Sequence, residues 1–135
     1  MPDGMVEIVF DNAQRSWRPG ERLSGRYRLV ADVAPELERQ ELSIVWYTSG
    51  KGDEDLEVHQ YEECRADSPT WTNPQNWKTF SCVLPLTPLS YDGVLVKIHW
   101  CVRVRYFPVR GEQLVGEAPF QLGNVAQGNK VEGAK

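Results

Sequence analysis

From Val94 to Phe107 the chain alternates with a strict period of two. Val94, Val96, Ile98, Trp100, Val102, Val104 and Tyr106 fall on one side, and Leu95, Lys97, His99, Cys101, Arg103, Arg105 and Phe107 on the other. Such a pattern predicts a β-strand with one buried face and one largely wet face. It also favours an antiparallel sheet, because parallel strands are usually covered on both sides. Arg22 to Val30 predicts a second strand, with Leu23, Tyr27 and Leu29 sharing a face with Gly25 while Arg22, Ser24, Arg26 and Arg28 line the other. A glycine inside such a strand marks a bulge or a close approach of backbone.

Shorter stretches complete the set. Met5 to Phe10 is mixed in polarity, and Gln40 to Thr48 places Leu42, Ile44 and Trp46 on its apolar side. Leu56 to Cys64 is more polar than the rest and is expected at a sheet edge. Lys78 to Leu84 aligns Phe80, Cys82 and Leu84, and Gln113 to Leu122 is the last strand. Turn-formers separate these runs: Trp17-Arg18-Pro19-Gly20 suits a type II turn, with proline fixing φ and glycine supplying φ > 0. About seven strands at regular spacing, with no helical period, predict an all-β, immunoglobulin-like sandwich of two antiparallel sheets. One domain over residues 1–123 is expected, followed by a small, polar, flexible tail over 124–135.

Composition narrows the partners. The 135 residues carry a net charge of −4, which gives no overall attraction to nucleic acid. The start, MPDGMVEIVF, lacks the basic-then-apolar layout of a signal peptide. No apolar run approaches the ~20 residues of a membrane span. A soluble, cytoplasmic protein without an integral membrane segment is the expectation. Cys64, Cys82 and Cys101 are an odd number without close spacing, which favours free thiols in a reducing compartment.

Two motifs resemble a known family. Leu84-Pro85-Leu86-Thr87-Pro88-Leu89-Ser90-Tyr91-Asp92-Gly93, followed by the long alternating strand, is similar to the late stretch of the arrestin-like N-terminal domain. Trp17 to Leu29, WRPGERLSGRYRL, is similar to that family's Pro-Gly-Glu-x-aliphatic-Ser-Gly lead into its second strand. The pair directly covers about a third of the chain and frames nearly all of it. The resemblance implies a single arrestin-like sandwich, related in shape to bacterial sporulation-control proteins. It implies a protein or peptide partner, no cofactor and no catalytic residue. The family's phosphate-sensing polar core relies on a second domain and a C-terminal tail that this sequence does not include, so phosphate-triggered activation is not carried over.

Chemistry-bearing residues are sparse. His99 and Cys101 face the same way, but no paired spacing of the zinc type occurs. There is no G-x-S-x-G elbow and no phosphate-cradling glycine loop. These absences predict a non-enzyme. Arg22, Arg26 and Arg28 line one strand and Lys97, Arg103 and Arg105 another. If both strands share a sheet, they form a basic stripe suited to acidic or phosphorylated peptides. Cross-strand pairing with Glu41, Glu57, Glu63 or Glu117 is the preferred reading of the same residues. Trp71 and Trp77, in a loop without periodicity, are either an exposed partner anchor or a cover over one end of the sandwich. On that account the alternative function is a carbohydrate-binding module that stacks sugars on the two rings. Edge strands offer a third route, by accepting a partner strand or a second copy of the chain as a homo-oligomer.

Overall fold

The computed structural model describes residues 4–52 and 54–123. The tail expected over 124–135 lies outside the described residues. Among the described residues nine strands run in chain order: β1 Met5–Phe10, β2 Ser16–Trp17, β3 Arg22–Val30, β4 Leu37–Gly50, β5 Leu56–Arg65, β6 Lys78–Val83, β7 Tyr91–Asp92, β8 Val96–Pro108 and β9 Leu114–Leu122. They form two layers. The smaller sheet has the order β1-β3-β6, and the larger has the order β2-β9-β8-β4-β5, with β7 also pairing β8. All pairings are antiparallel except the two-residue β2, which runs parallel to β9. The chain is thus an all-β sandwich, as the alternating pattern predicts.

The core lies between the layers. From the large sheet it takes Leu42, Ile44, Trp100, Val102, Val104, Tyr106, Ala118 and Phe120; from the small sheet, Phe10, Leu23, Tyr27, Leu29, Phe80 and Cys82. Trp17, expected in a turn, is instead the buried residue of β2. Its ring meets Phe10 at 5.1 Å and Phe120 at 5.6 Å, both edge-on. Gly25 sits on the core side of β3, opposite Phe10 on one strand and Phe80 on the other. The expected close approach is present: a Cβ there would meet the Val9 carbonyl oxygen and lie 2.9 Å from Phe80 Cζ.

Three expectations need correction. Val94 and Leu95 precede β8 rather than opening it, and both side chains point into solvent. Cys101, on the face expected to be wet, is buried together with its cross-strand neighbour Val45. The two sheets also separate the basic residues, because β3 and β8 belong to different layers. Arg22, Arg26 and Arg28 therefore occupy the outer face of the small sheet, and Lys97, Arg103 and Arg105 that of the large one. No single stripe exists.

The three cysteines are free. Burial pushes the Cys82 and Cys101 thiols up from 9.0 to about 11. Because the folded state holds these protons more tightly, their contribution is complete below pH 9 and is lost as pH rises towards 11. The melting temperature is therefore expected to fall progressively above pH 9. A Cys82→Ala variant should show a shallower fall in the same scan. An identical slope in both proteins would contradict the assignment.

Candidate functional site

The outer face of the small sheet gathers the arginines of β3. A strand turns alternate side chains to one side, so Arg22, Arg26 and Arg28 stand in line with Ser24. Trp77, just before β6, supplies a flat surface beneath two of them. The Arg26 guanidinium carbon lies 4.7 Å and that of Arg28 lies 4.3 Å from the Trp77 ring centroid. Arg28 also bonds Glu7 of β1 at 2.9 Å. Arg22 reaches only Ser81 Oγ, at 3.5 Å. Asp11, the nearby acid, accepts from Ser24 Oγ at 2.7 Å. Among the described residues, Arg22 and Arg26 make no ion pair. A cavity of about 450 Å³ opens beside Arg26, lined by the carboxylates of Asp11 and Glu62 and by Ser24, Thr79 and Ser81.

The other half of the predicted basic set is mostly neutralised. Lys97 pairs with Asp92 at 3.0 Å and Arg103 with Glu117 at 2.6 Å. Register places Arg105 opposite Glu41. Glu41, however, is bonded by Arg39 at 3.3 Å and by the Tyr61 hydroxyl at 2.7 Å. That hydrogen bond pushes the Tyr61 hydroxyl up to about 12. Cross-strand pairing thus describes Lys97, Arg103 and Arg28, while Arg22 and Arg26 of β3 make no ion pair among the described residues.

The loop tryptophans part company. Trp71 packs partly buried against the core at one end of the sandwich. Trp77 is 37% exposed and carries the two guanidiniums described above. Trp71 is thus part of the core packing and the Trp77 ring carries guanidiniums, so neither is presented as a bare exposed ring. The loop between them is docked on the small sheet through Leu29 N to Pro74 O at 2.8 Å and Gln75 Nε2 to Ala31 O at 2.7 Å.

Two features escaped the sequence pattern. His99 stacks on Tyr47 at 4.8 Å, and its Nε2 hydrogen-bonds Ser49 Oγ at 2.7 Å. The pair lines a cleft of about 610 Å³ with Arg15, Tyr91, Lys97 and Gln121. The second feature is a row of exposed apolar side chains between β6 and β8. Val94 among them continues the phase of the buried part of β8, which disguises it as a core residue. Among the described residues no cluster of three or more His, Cys, Asp or Glu has the proximity to hold a metal ion. No helix there is long and apolar enough to cross a membrane.

The sandwich defines the protein class as an all-β, arrestin-like fold. The structure of the sporulation control protein Spo0M from Bacillus subtilis is similar, with a TM-score of 0.63 over 92% of this chain at 13% sequence identity. The chain spans about half of that structure, 51% of its length. At this identity the likeness carries the fold alone. No family model matches the sequence, and no curated protein does.

Proposed function

We propose that the protein is a non-catalytic adaptor that docks an extended acidic peptide of a partner protein across the outer face of its small sheet. The observation that carries this reading is the arginine row of β3, in which Arg22 and Arg26 have no carboxylate partner among the described residues and Arg26 and Arg28 are pinned on Trp77. Guanidinium forks recognise carboxylates in bidentate fashion. Stacking on Trp77 orders two of the forks before the peptide arrives, which lowers the entropic cost of binding. Arg22, Arg26 and Arg28 share one side of an extended strand, so an extended ligand that presents an acid at every second residue can reach each of them. The arrestin-like fold supports a regulatory or adaptor role.

The sheet edge on β6 is a poorer dock. His59 Nε2 bonds the Val83 carbonyl at 2.9 Å, and Gln60 Nε2 approaches that of Ser81 at 3.5 Å. Side chains of β5 thus already occupy the acceptors that a partner strand would need. Free thiols at all three cysteines suit the reducing cytoplasm in which this reading places the protein.

Fluorescence anisotropy with a labelled peptide of alternating glutamate and alanine tests the proposal. Binding should weaken as salt is added. The Arg22→Glu, Arg26→Glu double variant should bind at least about tenfold more weakly, from the loss of two charge-assisted contacts. Trp77→Ala should give a smaller loss. Equal affinity in the wild type and the double variant, at unchanged melting temperature, would refute the assignment.

A further inference from the structure

The segment joining β6 to β8 holds its apolar side chains outward. Val94 is 100% exposed, Leu86 71% and Leu95 61%, and Leu89 and Tyr91 are exposed beside them. Looseness does not explain this. Ser90 N bonds Leu122 O at 2.8 Å, Gly93 N bonds Val96 O at 3.1 Å, and Lys51 N bonds Leu95 O at 2.9 Å. Trp100 Nε1 adds a bond to Pro88 O at 2.8 Å from within the core. The backbone of the loop is tied to the sandwich at four places, so the hydrophobic tip projects on a braced support. Several exposed apolar side chains on one braced loop mark an interaction site rather than ordinary scatter.

Its surroundings indicate the occupant. The base of the same loop forms one wall of the 610 Å³ cleft, where Lys97 is paired with Asp92 and Arg15 stands without an ion pair among the described residues. Arg15 is braced over Phe10, its guanidinium carbon 5.2 Å from that ring. An unpaired arginine and a tyrosine beside an apolar loop supply the groups met across a bilayer interface: hydrocarbon, then aromatic, then phosphate. The chain's own tail is a poor alternative. Gly123 lies against Leu89, but residues 124–135 contain no large apolar side chain beyond Val125 and Val131.

We propose that this end of the sandwich docks on a phospholipid bilayer. Leu86, Leu89, Val94 and Leu95 enter below the headgroups, Tyr91 sits at their level, and Arg15 meets lipid phosphate. Docking of this kind is peripheral and reversible, since few side chains enter. It leaves the outer face of the small sheet open, so an acidic peptide and a membrane could be held at once.

Flotation of the full chain with vesicles of phosphatidylcholine alone, and of an equimolar mixture with phosphatidylglycerol, tests this. The wild type should float with both, and more with the anionic mixture. Val94→Asp with Leu95→Asp should lower partition at least about tenfold, since both apolar side chains are lost from the interface. Their exposure means that the melting temperature should not move. Arg15→Glu should remove the preference for the anionic mixture. Val33→Asp, an equally polar change at an exposed apolar residue of another loop, should float like the wild type. The proposal is overturned if the wild type floats with neither vesicle, or if Val33→Asp loses as much as the tip variant. It is equally overturned if the tip variant instead abolishes a lipid-independent dimer seen by sedimentation while vesicle binding is absent. Peptide anisotropy reports on the other face and is unaffected by any of these results.

Discussion

Gly25→Val is expected to lower the unfolding free energy by about 3 kcal/mol or more, because the new side chain has no volume to enter. Gly25 lies mid-strand on the core side of β3, flanked by Phe10 of β1 and Phe80 of β6. Those two rings approach to 6.5 Å centroid to centroid, edge to face. Their meeting fills the space that a side chain at residue 25 would claim. A Cβ would already crowd the Val9 carbonyl, and valine adds two methyls towards Phe80 Cζ, 2.9 Å from the Cβ position. Relief requires β1 or β6 to move, and each is paired only to β3. Gly25→Ala should cost less, about 1–3 kcal/mol. Urea unfolding midpoints in the order wild type, alanine, valine are the expected result; a valine variant as stable as the wild type would mean that the two phenylalanines do not pack as described.

Trp100→Ala should cost a similar amount, about 3–5 kcal/mol, from a cavity at the centre of the large sheet. Trp100 is 1% exposed, and its ring stands 5.8 Å from Phe120 and 6.0 Å from His59. Trp100→Phe separates packing from anchoring. It keeps an aromatic ring but removes the donor to Pro88 O, 2.8 Å away in the wild type. That variant should lose about 1–2 kcal/mol. It should also be cut faster by protease within the Pro85–Val96 loop, since one of its ties is gone. If Trp100→Phe leaves cleavage there unchanged, the indole bond is not what braces the loop.

Much of the fold is legible because strand alternation is a local property. The buried faces of β3 and β8 follow directly from where Leu23, Tyr27 and Leu29, and Trp100, Val102, Val104 and Tyr106, fall in the chain. The polar character of Leu56 to Cys64 marks an edge, and β5 is indeed paired on one side only, to β4. Period fails at the ends and at short elements. Val94 continues the phase of β8 but lies beyond the last pairing of that strand, so its exposure follows from pairing length rather than pattern. Two residues are too few to show a period at all, and β2 escapes for that reason. Cys101 illustrates the opposite limit: a thiol among polar residues is buried through its neighbours Val45 and Pro119 on adjacent strands.

The same division governs the candidate surfaces. Sequence alone determined that Arg22, Arg26 and Arg28 share one side of a strand, that Lys97, Arg103 and Arg105 share one side of another, and that both sides face away from the core. It also determined the sandwich class, since side-chain alternation depends only on backbone geometry within each strand. Tertiary structure alone decided that the two rows lie on opposite layers, that Glu117 and Asp92 neutralise Arg103 and Lys97, and that Trp77 supports Arg26 and Arg28 while Trp71 joins the core. It also decided that the apolar side chains before β8 face solvent on a braced loop. These outcomes depend on which distant strands pair, and the period of two is the same whichever partner a strand takes.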